Sequence, residues 1–315
     1  MTQTTSELNR RSLIAGFLAL VAATTVSRRL EAASSKTRLI LLGTGGGPRP
    51  RKVSSGCAQV VVVNGMAYVI DCGDGVARQL VLADVPLTAL RSIFITHHHS
   101  DHNADYGNLM LLAWASGLNR RVDTYGPPPL ARMTRQFFEM NSSDIDTRIA
   151  DEGRPQLLPL IHAHEIRSGG VVMQDENVKV TAAVVNHPPV TPALGYRFDT
   201  ADRSIVISGD TTPVKALIDL ARNADVLVHE ALFAPGVKQM VARVPNATTL
   251  EQSILSHHTT VQDAGRVARE ANVKMLVLSH LVPAEYPEIT REQWIAAART
   301  NFDGEIVVGQ DLLEI

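Results

Sequence analysis

The chain has 315 residues, of which 45% are hydrophobic, 20% charged and 4% aromatic, and its formal net charge is −2. This apolar content can bury one large core or two modest ones, and the charged fraction, without low-complexity tracts, excludes extensive disorder. The scarcity of aromatic residues gives no indication of a platform on which single-stranded nucleic acid stacks its bases.

The first 33 residues are typical of an export signal. Arg10 and Arg11 precede an apolar run at residues 13–23, and small residues follow at 32–35. The run is shorter than the about 20 residues of a membrane span, although an uncleaved anchor or a buried helix remain alternatives. The paired arginines favour the twin-arginine route, and Sec export stays open. We therefore expect a periplasmic or secreted protein whose mature chain has no membrane span.

Loss of this signal makes the protein more acidic. It removes four arginines and two glutamates, so the formal charge changes from −2 to −4. A mildly acidic protein lacks the positive surface that binds a polyanion. The sequence therefore predicts that nucleic acid is not a partner.

After the signal, short β-branched segments alternate with helical patterns, and Asn64-Gly65 indicates a hairpin turn. The predicted strands of the first half are residues 38–42, 59–63, 67–71, 92–96 and 122–125, and its predicted helices are 75–83, 103–116 and 130–140. Cys57 and Cys72 could form a disulfide or could remain two buried free thiols. Their spacing does not decide between these alternatives.

The second half repeats this alternation. Its predicted strands are residues 177–185, 194–198, 204–208, 225–229, 274–279 and 305–308, and its predicted helices are 213–221, 261–271 and 291–301. Residues 141–164 are polar and irregular, which predicts an insertion or loop over a site. Two similar halves without a linker predict a single domain over residues 38–315. Its fold class is α/β, an αββα sandwich in which two mixed β-sheets pack face to face with helices outside.

A histidine-rich segment directly follows the predicted strand at residues 92–96. From Thr96 it reads Thr-His-His-His-Ser-Asp-His. Imidazoles and a carboxylate need a partner when buried, and a divalent cation supplies one. In extended backbone, His97 and His99 leave the same face and can hold one ion. Asp101 and His102 follow in the turn and can hold a second ion, as in two-metal hydrolases. A solvent-exposed histidine-rich loop is the alternative.

Three further candidates stand at the ends of later strands, namely His187, Asp210 and His280. A rigid scaffold presents active-site loops at such positions. A lone histidine is more often structural. Three candidates in succession, after the histidine-rich segment, indicate the remaining ligands of the same site.

This series resembles the metal-binding motifs of the metallo-β-lactamase superfamily over nearly all of residues 38–315. Val228-His229-Glu230-Ala231 and His258-Thr259-Thr260 are similar to motifs of its ribonuclease Z branch. The opening Leu42-Gly43-Thr44-Gly45-Gly46-Gly47-Pro48 is shared by that branch and by related metal-dependent arylsulfatases.

The resemblance implies two zinc ions per chain, with Mn²⁺ or iron left open as the native metal. The first zinc is held by His97, His99 and His187, and the second by Asp101, His102 and His280. The resemblance also implies that Asp210 bridges the two ions and that Asp71 orients a ligand.

A proton-handling pair, Glu230 and His258, is implied as well. In the catalysis that we expect, Asp101 orients the attacking water, His258 protonates the leaving group, and Glu230 fixes the tautomer of that imidazole. A polar network in the core is the alternative for Glu230 and His258.

The sequence therefore predicts an exported dinuclear-zinc hydrolase of small esters, most like the arylsulfatases. The expected partner is a small-molecule ester substrate, and a homodimer stays open. The alternatives are a ribonuclease Z-like phosphodiesterase, a β-lactam or lactone hydrolase, and a non-catalytic metal-binding accessory protein. Three features argue against an RNA substrate: the export signal, the net acidity and the absence of a basic arm in residues 141–164.

Overall fold

The computed structural model describes residues 37–244 and 246–315. The predicted export signal at residues 1–33 lies outside the described residues. Within the described part, no helix combines the length and apolar character that crossing a membrane requires.

The first β-sheet of the described part has seven strands. They are β1 (Arg38–Gly43), β2 (Ala58–Val63), β3 (Met66–Ile70), β4 (Leu90–Phe94), β5 (Val122–Gly126), β6 (Ile161–Glu165) and β14 (Leu313–Glu314). Their spatial order is β14-β1-β2-β3-β4-β5-β6. Neighbours from β3 to β6 are parallel, and the other pairs are antiparallel. The carboxyl ends of β3 and β4 therefore meet at one edge of this sheet.

The second sheet also has seven strands among the described residues. They are β7 (Gly170–Gln174), β8 (Val178–His187), β9 (Val190–Thr200), β10 (Ser204–Ile207), β11 (Val226–Leu232), β12 (Met275–Val282) and β13 (Glu305–Val308). They follow one another in the order β13-β12-β11-β10-β9-β8-β7. Neighbours from β10 to β13 are parallel, and those from β7 to β10 are antiparallel.

Helices cover the outer faces of both sheets. They are α1 (Val76–Leu82), α2 (Ser100–Asn103), α3 (Tyr106–Ala115), α4 (Leu130–Met140), α5 (Ser142–Glu152), α6 (Lys215–Leu220), α7 (Ala234–Val241), α8 (Leu250–His257), α9 (Val261–Glu270) and α10 (Arg291–Arg299), with single 3₁₀ turns at Leu87–Ala89 and Leu158–Leu160. Separate apolar clusters lie under the helices of each half. The predicted αββα sandwich is confirmed.

A third apolar cluster joins the two sheets face to face. At its centre the Phe94 ring stacks on Tyr125 at a centroid distance of 5.0 Å. It also meets Tyr196 and Phe198 of the other sheet edge-on, at 5.4 and 5.1 Å. The strand that precedes the histidine-rich segment is thus anchored in the middle of the core.

The structure corrects the prediction of a loop at residues 141–164. Helix α5 occupies Ser142–Glu152 of this stretch, and strand β6 begins at Ile161. In the helix, Arg148 pairs with Asp144 and Glu152, each one helical turn away. Ile145 is buried, and Gly153 ends the helix in a left-handed conformation. Charges that suggested an irregular loop therefore stabilise a surface helix.

Other differences are smaller. The helix predicted at 103–116 begins at Tyr106 as α3, and the unpredicted short helix α2 precedes it. Between them Asp105 leaves helical geometry, and its carboxylate accepts a hydrogen bond from the Gly75 N–H. Strands β6, β7 and β14 and helices α7 and α8 were not predicted. Cys57 and Cys72 are both buried free thiols.

Candidate metal centre

The edge where the strands of both sheets end gathers the histidine-rich segment and the three later candidates. One group consists of His97, His99, His187 and Asp210, whose ligand atoms all lie within 4.8 Å of one another. The His97 Nε2 atom lies 3.0 Å from His99 Nδ1 and 3.8 Å from Asp210 Oδ2. His187 Nε2 lies 3.2 Å from the same His99 nitrogen.

A second group consists of Asp101, His102, Asp210 and His280, again within 4.8 Å of one another. His102 Nε2 lies 3.4 Å from Asp210 Oδ1. His280 Nε2 lies 3.1 Å from Asp101 Oδ2 and 3.3 Å from Asp210 Oδ2. Asp210 therefore belongs to both groups and stands between them.

The chemistry of these atoms fits a bound cation. His102 Nε2 and Asp210 Oδ1 are buried and have no hydrogen-bond partner among the described residues. An unpartnered buried polar atom costs free energy unless something else satisfies it. Imidazole nitrogens and carboxylate oxygens are the donors that zinc and similar cations prefer. The site is a metal-binding site.

Hydrogen bonds from outside the two groups hold the candidate ligands in place. Asp71 Oδ2 accepts from His102 Nδ1 at 2.8 Å, and the same carboxylate accepts from the Thr96 N–H and hydroxyl. His187 Nδ1 donates to the His257 carbonyl at 3.0 Å. Such contacts fix the tautomer and ring orientation of a metal-binding imidazole.

Unusual backbone geometry supports the same arrangement. Asp71 and His280 have φ angles of 59° and 44°, in the left-handed region that non-glycine residues rarely occupy. Gly209, directly before Asp210, has a φ of 61°, and a Cβ atom there would lie 2.7 Å from the Leu194 carbonyl oxygen. The fold bears this strain at the positions that aim the carboxylates and the imidazole inward.

Burial and neighbouring charge set the protonation of these groups. Desolvation lowers the pKa of His97 well below its usual value and lowers the pKa of His187, which favours the neutral imidazole that binds metal. Desolvation raises the pKa of Asp101, but the neighbouring His102 and His280 outweigh it and hold that pKa far below the ordinary range. Asp101 is therefore ionised.

Glu230 and His258 lie beside the two groups. Glu230 Oε1 accepts from the Thr211 N–H at 2.7 Å, and Oε2 lies 2.9 Å from His258 Nδ1. His258 Nδ1 also lies 3.8 Å from Asp210 Oδ2. Desolvation lowers the pKa of His258, but the Glu230 carboxylate outweighs it and raises that pKa to about 9. The pair can hold and deliver a proton near the metal-binding atoms.

A pocket of about 400 Å³ opens over these groups. Its lining residues include the basic Arg49 and Arg51 and the apolar Met240, Leu250 and Ile254. Neither the basic nor the apolar lining residues were predicted from the sequence. The available signal was the basic run Pro48-Arg49-Pro50-Arg51-Lys52 directly after the glycine-rich turn.

The other histidines of the segment and its surroundings have structural contacts. His98 points away from the two groups and bonds to the Pro127 carbonyl and the Asn103 amide. His164 bonds to Asp123 at 2.8 Å. His257 supplies its backbone carbonyl to His187.

Comparison with known proteins agrees with this geometry. The family model described as "Beta-lactamase superfamily domain" matches residues 67–281. Ribonuclease Z of Mycobacterium bovis is 34% identical over 277 residues, which are 87% of this chain and 96% of the relative. Ribonuclease Z of Mycobacterium marinum is 32% identical with the same coverage.

Solved structures share the fold. Human tRNase Z, short form, superposes with a TM-score of 0.64 at 21% identity and covers 88% of this chain and 98% of its own. A metallo-β-lactamase fold protein from Bacillus subtilis gives 0.65 at 19% identity, covering 89% and 98%. The chain belongs to the metallo-β-lactamase superfamily and, within it, to the ribonuclease Z family. It is a metal-dependent hydrolase.

These relatives correct two expectations. The prediction of an arylsulfatase-like hydrolase of small-molecule esters is wrong, because the relatives are named ribonuclease Z. The prediction that excluded nucleic acid as a partner is wrong for the same reason. Net charge averages over the whole surface, whereas recognition depends on local charge, and Arg49 and Arg51 stand at the mouth of the pocket.

Proposed function

We propose that the protein is a ribonuclease Z-like phosphodiesterase that hydrolyses RNA. The observation that carries the proposal is the pair of donor groups joined by Asp210, with His258 3.8 Å from that carboxylate. The pair stands in a chain that is 34% identical to ribonuclease Z. Two cations beside one acid–base group suit the in-line displacement at phosphorus.

We also propose that the groups hold two zinc ions. His97, His99 and His187 would hold the first ion, Asp101, His102 and His280 would hold the second, and the Asp210 carboxylate, which belongs to both donor groups, would serve both. When bound, the ions supply Lewis-acid chemistry, which makes hydroxide available near neutral pH and stabilises charge on the phosphate oxygens.

The residues of the chain perform the proton transfers. The Asp101 carboxylate, held by the Gly47 N–H at 2.7 Å, orients the attacking water. As the new oxygen–phosphorus bond forms, the bond from phosphorus to the leaving oxygen breaks. His258 donates its proton to that oxygen, and Glu230 keeps the other imidazole nitrogen protonated. The products are a phosphomonoester and an alcohol.

The test compares substrate classes. Zinc-loaded protein is incubated with a precursor transfer RNA and with bis(4-nitrophenyl) phosphate, and an aryl sulfate and a chromogenic β-lactam serve as competing substrates. We expect cleavage of both phosphodiesters and its loss in Asp210→Ala. A fully metal-loaded protein that cleaves neither phosphodiester contradicts the proposal, as does much faster turnover of the β-lactam.

Independently of this activity, we propose that residues 1–33 direct export and that residues 38–315 form the mature single domain. The support is the paired Arg10 and Arg11 before an apolar run at residues 13–23. Cell fractionation of the full chain and of the Arg10→Lys, Arg11→Lys double variant tests it. We expect the variant to be retained in the cytoplasm. An identical distribution of both proteins refutes the twin-arginine route.

A further inference from the structure

A pair of helices forms an apolar wall of the metal-centre pocket. Helix α7 (Ala234–Val241) and helix α8 (Leu250–His257) face the pocket with Met240, Leu250 and Ile254. Behind them, Met240 and Ile254 pack on an apolar cluster with Val237 and Val282. The wall is therefore supported from behind by packed side chains.

The wall is tied directly to the catalytic groups. His257, the last residue of α8, accepts the hydrogen bond from His187 Nδ1 through its carbonyl. His258, the proposed acid, is the next residue along the chain. A substituent on a phosphate bound between the two donor groups is therefore adjacent to this wall.

The lining of the pocket also carries positive charge. Arg51 donates hydrogen bonds to the carbonyls of Gly46 and Gly47, which holds its guanidinium beside the glycine-rich turn. Arg49 also lines the pocket and is exposed. The lining of the pocket thus includes residues suited to an anion and residues suited to an apolar group.

Few polar atoms stand on the apolar side. The Ser253 hydroxyl and the His257 ring line it, and these two side chains bond to each other at 3.2 Å. Discrimination between bases requires free donors and acceptors aimed at base edges, whereas contact with the faces of a base is sequence-tolerant.

We propose that Met240, Leu250 and Ile254 form a subsite for one unpaired base next to the scissile phosphate, which they hold by apolar contact without discriminating its identity. The inference rests on the proposed phosphodiesterase function and names a specificity element of it. A nucleotide fits both kinds of lining residue, because the apolar face of its base is attached through the sugar to an anionic phosphate. An alkyl chain is the competing occupant.

The experiment uses full-length zinc-loaded protein and substrates with a common leaving group. These are nucleoside 5′-(4-nitrophenyl phosphates) with each of the four bases, methyl 4-nitrophenyl phosphate and octyl 4-nitrophenyl phosphate. Variant Ile254→Ser is compared with Leu255→Ser, the neighbouring position on α8, which is 43% exposed and does not line this pocket.

We expect Ile254→Ser to raise KM for the nucleoside substrates by about 5- to 20-fold more than for the methyl substrate, from the partial loss of one apolar contact. The four bases should differ by less than about threefold, since face contacts are sequence-tolerant. Leu255→Ser should behave as wild type. Leu250→Ser, on the same face of α8, provides a second variant if Ile254→Ser does not fold.

Equal losses on nucleoside and methyl substrates overturn the subsite while leaving the phosphodiesterase proposal intact. A wild-type preference for the octyl substrate that Ile254→Ser abolishes also overturns it, because the wall then binds an alkyl chain. If the wild-type protein cleaves precursor transfer RNA but none of these phosphodiesters, the subsite proposal fails alone. If it cleaves neither the RNA nor these phosphodiesters, both proposals fail.

Discussion

The Asp71 carboxylate lies 2.8 Å from Nδ1 of His102, and both residues are almost fully buried. The hydrogen bond leaves Nε2 of His102 as the atom that faces Asp101 and Asp210. Asp71 comes from the end of β3 and His102 from α2, so the contact fixes the histidine-rich segment against the neighbouring strand.

Asp71→Asn should weaken metal binding by about 10- to 100-fold, because the imidazole loses the carboxylate that orients it and raises its basicity. Competition with a chromogenic chelator measures the affinity. Asp219→Asn, an exposed carboxylate on α6, is the control and should bind metal as wild type does. Unchanged affinity in Asp71→Asn argues against the orienting role.

Asp210→Ala should release at least one of the two metals and abolish phosphodiester cleavage, because this carboxylate belongs to both donor groups. Elemental analysis of the purified variant gives the metal content, and circular dichroism checks that the fold remains. Two metals still bound per chain would rule out the bridging role.

His258→Ala should slow hydrolysis by about 10²- to 10⁴-fold, the usual contribution of a general acid, while the metals remain bound. The loss should shrink for phosphodiesters with good leaving groups, since a stable anion needs little protonation. Rates across leaving groups of graded pKa, together with thermal stability, separate catalysis from a core polar network. The network alternative gains support from equal losses for all substrates with a marked drop in Tm.

Glu285→Ala should loosen the basic loop at the pocket mouth. The Glu285 carboxylate accepts from the N–H groups of Lys52, Val53 and Ser54 and from the Ser54 hydroxyl, at 2.7 to 3.3 Å. Without it we expect a raised KM for RNA and a loss of about 1–2 kcal/mol in unfolding free energy.

Steady-state kinetics and denaturant unfolding measure both effects of Glu285→Ala. The control is Glu288→Ala, an exposed carboxylate nearby on the same connection. Matching behaviour of the two variants would show that the hydrogen bonds to the loop contribute nothing specific.

Phe94→Ala should destabilise the sandwich by about 3–5 kcal/mol, because it leaves a cavity where four aromatic rings meet between the sheets. Denaturant unfolding measures the loss. Val53→Ala, at a position that is 81% exposed, should stay within about 0.5 kcal/mol of wild type. A cost below about 1 kcal/mol for Phe94→Ala would contradict the assigned core.

Short sequence patterns predicted most of the strands and helices and the residues of the candidate site. His187, Asp210 and His280 could be predicted because each lies at or near the end of a strand, and a strand end is set largely by neighbours in sequence. The side-chain alternation that puts His97 and His99 on one face is likewise a property of the local backbone.

Short sequence patterns did not predict helix α5, the apolar wall of the pocket or the position of the basic residues. The helix at Ser142–Glu152 is stabilised by ion pairs one turn apart, yet its polar composition resembled that of a loop. The apolar wall of α7 and α8 depends on which strands lie beneath it. Net acidity was a poor guide to partners, since it does not report where Arg49 and Arg51 stand.

The sequence by itself determined the fold class, the histidine-rich segment and the identity of the candidate ligands, because these follow from residue type and short spacing. Only the tertiary structure decided that the Asp71 carboxylate contacts the Nδ1 atom of His102, that His187 Nδ1 donates to the His257 carbonyl, and that a basic loop and an apolar helix pair line the same pocket. The reason is that these relationships join residues far apart in the chain. Their distances are set by how the two sheets pack, which no local pattern specifies.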